Sequence, residues 1–444
     1  MNRNLRKRLL GLLSAFTFCA LITSAANGQF PVFPDELRLF QGQGKQLRLS
    51  LPVQAKVSVD RPDVVMVNGQ ATPTMTVSLG EPLNLSPVGS GEAKLRMKLF
   101  GQIPLKTVKV NVIPDLKVIP GGQTIGVKVK SAGILVVGHH QVTNEGQKVS
   151  PGESAGIQIG DLITHMNGIE LKDVKDVSDI AARAGQGKKP LKLTYKRGGQ
   201  TFTTSLSPAF DKSDGAWRLG LYIRDSAAGV GTLTFYAPDQ GVYGALGHVI
   251  TDMNTQTPIV VGSGQILQSS VTSISKSESG EPGEKRAHFI KEGKTLGNIE
   301  RNTPFGIFGK MEQNPEHSVY NEGIPVAFAE EVKEGPAEIL TVVEGQRVER
   351  FKIEIVHVSR QNAPETKGLV IRITDPRLVE KTGGIVQGMS GSPIIQNGKL
   401  IGAVTHVFVN DPRSGYGCFI EWMLQDAGIL KGNSNQLSQN LKAS

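Results

Sequence analysis

Gly388-Met389-Ser390-Gly391-Ser392-Pro393 sets a serine between glycines and closes the bend with a proline. Ile394-Ile395 follow, then the turn pair Asn397-Gly398 and the apolar run Leu400-Ile401-Gly402-Ala403-Val404. A glycine-rich bend thus leads into a β-hairpin. Glycines beside a serine let the backbone take conformations closed to other residues and bring its amides close to a reacting carbonyl. A hydroxyl is a weak nucleophile, so the loop carries chemistry only if a base, itself oriented by an acid, lies elsewhere in the chain.

Chain order limits where that base can lie. Downstream of Ser390 the one histidine is His406, and residues 391–405 contain no Asp or Glu. The order Ser, acid, His is therefore excluded, and so is Gly-x-Ser-x-Gly, because position 392 is Ser. The loop resembles the Gly-x-Ser-Gly-Gly-Pro nucleophile loop of chymotrypsin-like proteases, with Ser392 in place of the second paired glycine. That resemblance makes Ser390 the nucleophile and the amides of Gly388 and Ser390 the oxyanion hole. It also requires the order His, Asp, Ser. Between His248 and Ser390 the aspartates are Asp252 and Asp375. Asp252 stands four residues past the histidine and reads as a turn cap. Asp375 follows the alternating stretch Leu369 to Ile373 and precedes Pro376, which suits an acid at a strand end. The candidate triad is His248, Asp375 and Ser390. His248 is chosen because glycines crowd it in Tyr243-Gly244-Ala245-Leu246-Gly247-His248-Val249-Ile250. Its rivals are His288 and His317 in polar surroundings, and His357 at the end of an alternating strand.

Toward the N-terminus, Ala155-Gly156-Ile157-Gln158-Ile159-Gly160-Asp161-Leu162-Ile163 precedes the tight-turn pair Asn167-Gly168. Val174 to Ala184 has helical spacing, with Val177, Ile180, Ala181 and Ala184 on one face and Gly185 able to stop it. Leu191 to Tyr195 and Thr201 to Leu206 read as a hairpin. This succession resembles a PDZ domain, which implies an extended peptide bound as an added strand. The resemblance places the groove at Thr124-Ile125-Gly126-Val127, with Ile125, Gly126 and Val127 as its residues. Its ligand is another molecule or this chain's own N-terminal region.

The stretches Gly220-Leu221-Tyr222-Ile223-Arg224-Asp225-Ser226, Gly244 to His248, Gly383 to Pro393, Thr405 to Pro412, and Gly415-Tyr416-Gly417 with Glu421-Trp422-Met423 resemble the stage IV sporulation protein B peptidase family. That family's members are serine peptidases of endospore formers. The resemblance implies secretion from the forespore into the space between its two membranes, self-cleavage, and signalling across those membranes. The implied substrate is a regulator of an intramembrane metalloprotease that activates a late sporulation sigma factor. Ser414, Gly415, Tyr416 and Gly417 are the expected substrate-binding wall.

The remaining sequence sets the organisation. Residues 1–28 hold Arg3, Arg6, Lys7 and Arg8 and then an apolar run from Leu9 to Ala26, an export signal or a retained membrane anchor. Residues 29–113 alternate apolar and polar in short runs and read as a small β-sandwich with no chemistry of its own. Residues 114–210 are the PDZ unit, 211–428 a chymotrypsin-like double β-barrel, and 429–444 a polar tail. The fold class is therefore mainly β, in keeping with 52 glycines among 444 residues. The four basic residues of the leader supply four of the nine net positive charges, so the charge balance does not point to nucleic acid. The two cysteines, Cys19 and Cys418, are too few for a structural zinc site of cysteines. His-Glu-x-x-His is absent, and no metal or cofactor is expected. The rival to an enzyme is an inactive PDZ scaffold or peptide-binding adaptor at the membrane.

Overall fold

A computed structural model describes residues 35–430 except 43, 49, 50, 52, 114, 145, 291–294 and 362. The expected signal or anchor and the polar tail lie outside the described residues. No helix among the described residues is long and apolar enough to cross a membrane. The chain divides into two units, residues 1–116 and 117–444.

The first unit is a sandwich of two sheets. One has five strands, in the order Glu36–Phe40, Ile103–Ile113, Gly91–Leu99, Gln54–Val59 and Thr74–Ser78. The other has Leu83–Pro87 between Lys45–Leu47 and Val65–Val67. Period-two alternation builds it. Along Gly91–Leu99, Ala93, Leu95 and Met97 point inward while Lys94, Arg96 and Lys98 point out. Leu37, Val57, Leu85, Leu95, Met97 and Val110 close the core.

The second unit is organised by two long strands. Thr124–His139 starts in a half-barrel, where Thr124 to Lys130 pair with Ser226 to Thr232 on one edge and Ile125 to Lys130 pair with Ser263 to Gln268 on the other. It then enters a second sheet, where Leu135 and Ile134 pair with Leu162 and Ile163. Leu221–Ala237 makes the reverse journey. Its first residues, Leu221 to Arg224, pair with His139 to Leu135. Its last, Leu233 to Ala237, pair with Ala245 to Val242. The second sheet is completed by the strands Leu191–Arg197 and Gln200–Leu206. Over it packs the helix Val174–Gln186, capped by Asp173 through the amide of Lys175 and burying Val177, Ile180, Ala181 and Ala184. This is the PDZ fold, and the helix runs two residues beyond its expected end at Ala184.

C-terminal to it, Gly335–Val342, Val348–Val358, Leu369–Ile373, Asp411–Phe419, Lys399–Phe408 and Pro393–Gln396 form a closed six-stranded barrel. Closed barrel and half-barrel together make the expected double-barrel arrangement. The N-terminal barrel stays half open because two of its strands continue into the PDZ sheet. The expected divisions at residues 114 and 210 are therefore crossed in space: Thr124–Ser131 sits in the barrel half and Leu221–Arg224 in the PDZ sheet.

Candidate active site

Ser390 sits where the closed barrel meets the half-barrel. Gly391, at φ 93°, leaves no room for a side chain, because a Cβ would collide with the Thr232 carbonyl and the Leu246 backbone. The loop is clamped by the strand Leu221–Ala237. Thr232 N donates to the Ser390 carbonyl at 3.0 Å, Thr232 Oγ1 to the Gly388 carbonyl at 2.7 Å, and Thr234 Oγ1 to the Gly391 carbonyl at 2.8 Å. The amides of Gly388 and Ser390 donate to no protein acceptor among the described residues, which leaves both free for an incoming oxyanion. Ser390 Oγ itself donates to the Thr405 carbonyl at 3.0 Å.

His248 follows Leu246 and Gly247, both at φ 71°. A leucine in the left-handed region is backbone strain of the kind that gathers at functional sites. Gly247 packs against Thr405, so the histidine and the serine converge around one residue. The imidazole Nδ1 lies 2.8 Å from the Val249 carbonyl, a contact that places the proton on Nδ1 and leaves the Nε2 lone pair open. Burial lowers the pKa of His248 and keeps the ring neutral, as a general base must be.

Asp375 is not brought to His248. It caps the helix Pro376–Thr382, and all its hydrogen bonds go elsewhere. Oδ1 accepts from Arg377 N at 3.0 Å and Arg377 Nε at 3.1 Å, while Oδ2 accepts from Arg377 Nη2 at 2.8 Å and Lys352 N at 3.2 Å. The Arg377 guanidinium holds its pKa below the usual carboxylate range. The run Asp-Pro-Arg carries the signature of a helix N-cap, and here that local role holds the side chain. Serine, histidine and aspartate each bond to some other partner in this arrangement. Asp252 has the turn role expected of it. Its Oδ1 accepts from the amides of Asn254 and Thr255, at 3.0 and 2.9 Å, and Oδ2 pairs with Arg224. Burial would raise its pKa, but these donors outweigh burial and lower it. His288 and His357 are exposed, His357 beside Glu334 at 3.2 Å.

Two residues near the site carry no motif. His406 follows Thr405, and its ring centroid lies 5.4 Å from that of His248. Burial, then proximity to His248 and Lys367, pushes its pKa down to about 4, so a second neutral imidazole stands beside the first. Lys285 is fully buried under Gly388 and donates through Nζ to Thr341 Oγ1 at 2.6 Å. Burial pushes its pKa down to about 7. Chain order could have drawn attention to His406; Lys285, inside Glu284-Lys285-Arg286, reads as surface.

The expected substrate wall lies next to these groups. Tyr416 is directly opposite His406 in the strand pair, and Gly415 opposite Val407. Ser414 Oγ bonds Asp411 Oδ2 at 2.6 Å, and Lys367 lies 4.8 Å over the Tyr416 ring.

The expected PDZ groove is corrected. Ile125 and Val127 lie in the half-barrel core with Leu233, Tyr243 and Ile266, and Ile125, Gly126 and Val127 are paired on both edges. No strand can be added there. Beside the helix Val174–Gln186, the edge of this sheet that stays unpaired among the described residues is Leu221 to Asp225. Asp225 Oδ2 accepts from Val174 N at 3.1 Å, and Leu221 and Ile223 pack on the helix cluster. Leu219-Gly220, after the strand Ala216–Arg218, is the loop at its head.

Where the two barrels join, Ser390, with two amides that have no protein acceptor among the described residues, and the neutral imidazole of His248 thus meet around Thr405. Residues 215–424 match the family described as SpoIVB peptidase S55. Residues 142–197 match the PDZ domain. No curated protein matches the chain. Among solved structures, the PDZ domain of the SdrC-like protein from Listeria monocytogenes is 20% identical, with 21% of this chain and 87% of that chain covered and a TM-score of 0.17. The Rv3671c protease from M. tuberculosis, active form, is 16% identical over 46% of this chain and 76% of that chain, with a TM-score of 0.28.

Proposed function

We propose that this chain is a self-cleaving serine endopeptidase in which Ser390 attacks, His248 takes its proton through Nε2, and the amides of Gly388 and Ser390 hold the oxyanion. The observation that carries the reading is the pair of free amides around a serine that only glycine neighbours allow. Resemblance supplies Asp375 as the third member. In the reacting form Ser390 exchanges the Thr405 carbonyl for His248, and Asp375 leaves Arg377; the described arrangement is the resting one. The edge Leu221 to Asp225 recruits a peptide as an added strand. By family resemblance the chain is exported into the space between the two forespore membranes. There it cleaves a regulator of an intramembrane metalloprotease that activates a late sporulation sigma factor.

The test is incubation of the purified chain, wild type beside Ser390→Ala, Ser392→Ala, Asp375→Asn and Asp252→Asn, with N-terminal sequencing of fragments. Ser390→Ala should lose about 10⁶ in rate and keep its fold. Ser392→Ala should stay active. Asp375→Asn should lose about 10⁴, and Asp252→Asn far less. Self-processing by Ser390→Ala ends the assignment of the nucleophile. A loss confined to stability in Asp375→Asn assigns that residue to the helix cap alone.

A further inference from the structure

The outer face of the five-stranded sheet in the N-terminal unit places cations against each other. Lys56 is directly opposite Lys98, and Lys94 directly opposite Lys109, while Arg96 stands between them opposite Ser58. Like charges facing across strands destabilise a sheet. All five basic residues are exposed, and none makes an ion pair among the described residues. Acids on this face flank Lys94 and Lys109: Glu36 is directly opposite Lys109, Asp60 Oδ1 accepts from Lys94 N at 2.6 Å, and Glu92 stands two residues before Lys94, so the unbalanced cations are Lys56, Arg96 and Lys98 toward the hairpin turn. At the turn end, Phe100 and Ile103 are 74% and 57% exposed.

The turn itself is unusual. Phe100 and Gly101 lie at φ 50° and 76°, and Gln102 N closes on the Leu99 carbonyl at 3.1 Å. Four other turns among the described residues have closely similar φ values, Asn68-Gly69, Asn167-Gly168, Gly198-Gly199 and Asn397-Gly398. Each opens with asparagine or glycine, which tolerate the left-handed region, where this turn uses phenylalanine. The position therefore bears two costs, an unfavourable backbone for a bulky residue and an aromatic ring left in water. Lys56 reaches along the sheet to the turn at Gly101, the residue after Phe100.

We propose that this face is a docking surface for an anionic lipid bilayer, with Phe100 and Ile103 entering the interface and Lys56, Lys94, Arg96, Lys98 and Lys109 meeting the headgroups. An apolar tip ringed by lysines fits a surface that is charged outside and apolar within. A nucleic acid would use the charges but give the aliphatic Ile103 nothing to enter.

The test is co-sedimentation of the full chain with phosphatidylcholine vesicles, with or without 30 mol% phosphatidylglycerol at ~0.1 M salt, a Debye length of about 10 Å. Wild type is compared with Phe100→Asn and with Lys94→Glu/Lys98→Glu. The apolar run 9–26 is common to all three, so only differences between variants count. Wild type should partition more strongly onto the anionic vesicles. The double variant should lose roughly tenfold or more of that preference, as near-surface lysines contribute about 1 kcal/mol each. Phe100→Asn should bind several-fold less while melting no lower than wild type, since Asn-Gly suits the turn; a merely structural Phe100 would not separate these readouts. Equal partition onto both vesicles, or variants that bind like wild type, overturns the proposal. So does tighter binding to duplex DNA than to anionic vesicles at the same salt.

Discussion

At the scale of single residues, Lys285 has the largest untested energetic role. A lysine unfolds to a pKa of about 10.4, and here burial holds it at about 7. Between those values the unfolded chain binds a proton that the folded chain does not, so stability rises with pH across that window. Below pH ~7 both forms are protonated and the whole penalty, on the order of 4 kcal/mol, is present. Lys285→Met should therefore raise the melting temperature, most at pH 6 and least near pH 10. A uniform fall in melting temperature at both pH values would show that the bond to Thr341 outweighs the buried charge. Ser390 and His248 stand out in the sequence because glycines crowd the backbone around each. Lys285 does not, because burial is decided by strands distant in sequence. Asp375 shows the opposite limit. Chain order names it from afar, while the local run Asp-Pro-Arg spells the helix cap that holds its carboxylate in this arrangement.

Single elements show where period-two and helical patterns suffice and where they stop. The helix Val174–Gln186 and the sandwich strands were legible because their apolar spacing is local. The peptide groove was misplaced because Thr124–His139 and Leu221–Ala237 each belong to two sheets, and no local pattern marks where a strand changes partners. The correction separates two substitutions. Ile125→Glu puts a carboxylate into a site with no exposure. It should cost more than about 3 kcal/mol and abolish cleavage of a folded partner and of a short peptide alike. Ile223→Lys, on the free edge beside the helix, should weaken cleavage of the folded partner and spare the short peptide. Circular dichroism and both kinetic assays decide it. An Ile125→Glu protein that folds and loses only the folded partner would return the groove to its first position.

For the molecule as a whole, the exchanged strands predict which pieces fold. Residues 114–210 alone lack the strand that pairs with Leu135 to His139, and carry Thr124 to Ser131 with both edges bare. That fragment should give a poorly dispersed amide spectrum, whereas residues 133–226 should give a dispersed one. A well-folded 114–210 fragment would mean that the shared strand contributes little. The same exchange bears on how such a protein can change over time. A domain that begins and ends at its own borders can be cut out of one gene and spliced into another as a cassette. Here Leu221 to Arg224 finish one domain, and thirteen residues later the same strand is finishing the next. Recombination at either seam would break both partners at once. New ligand preferences must therefore arise by substitution along the groove rather than by trading one PDZ domain for another.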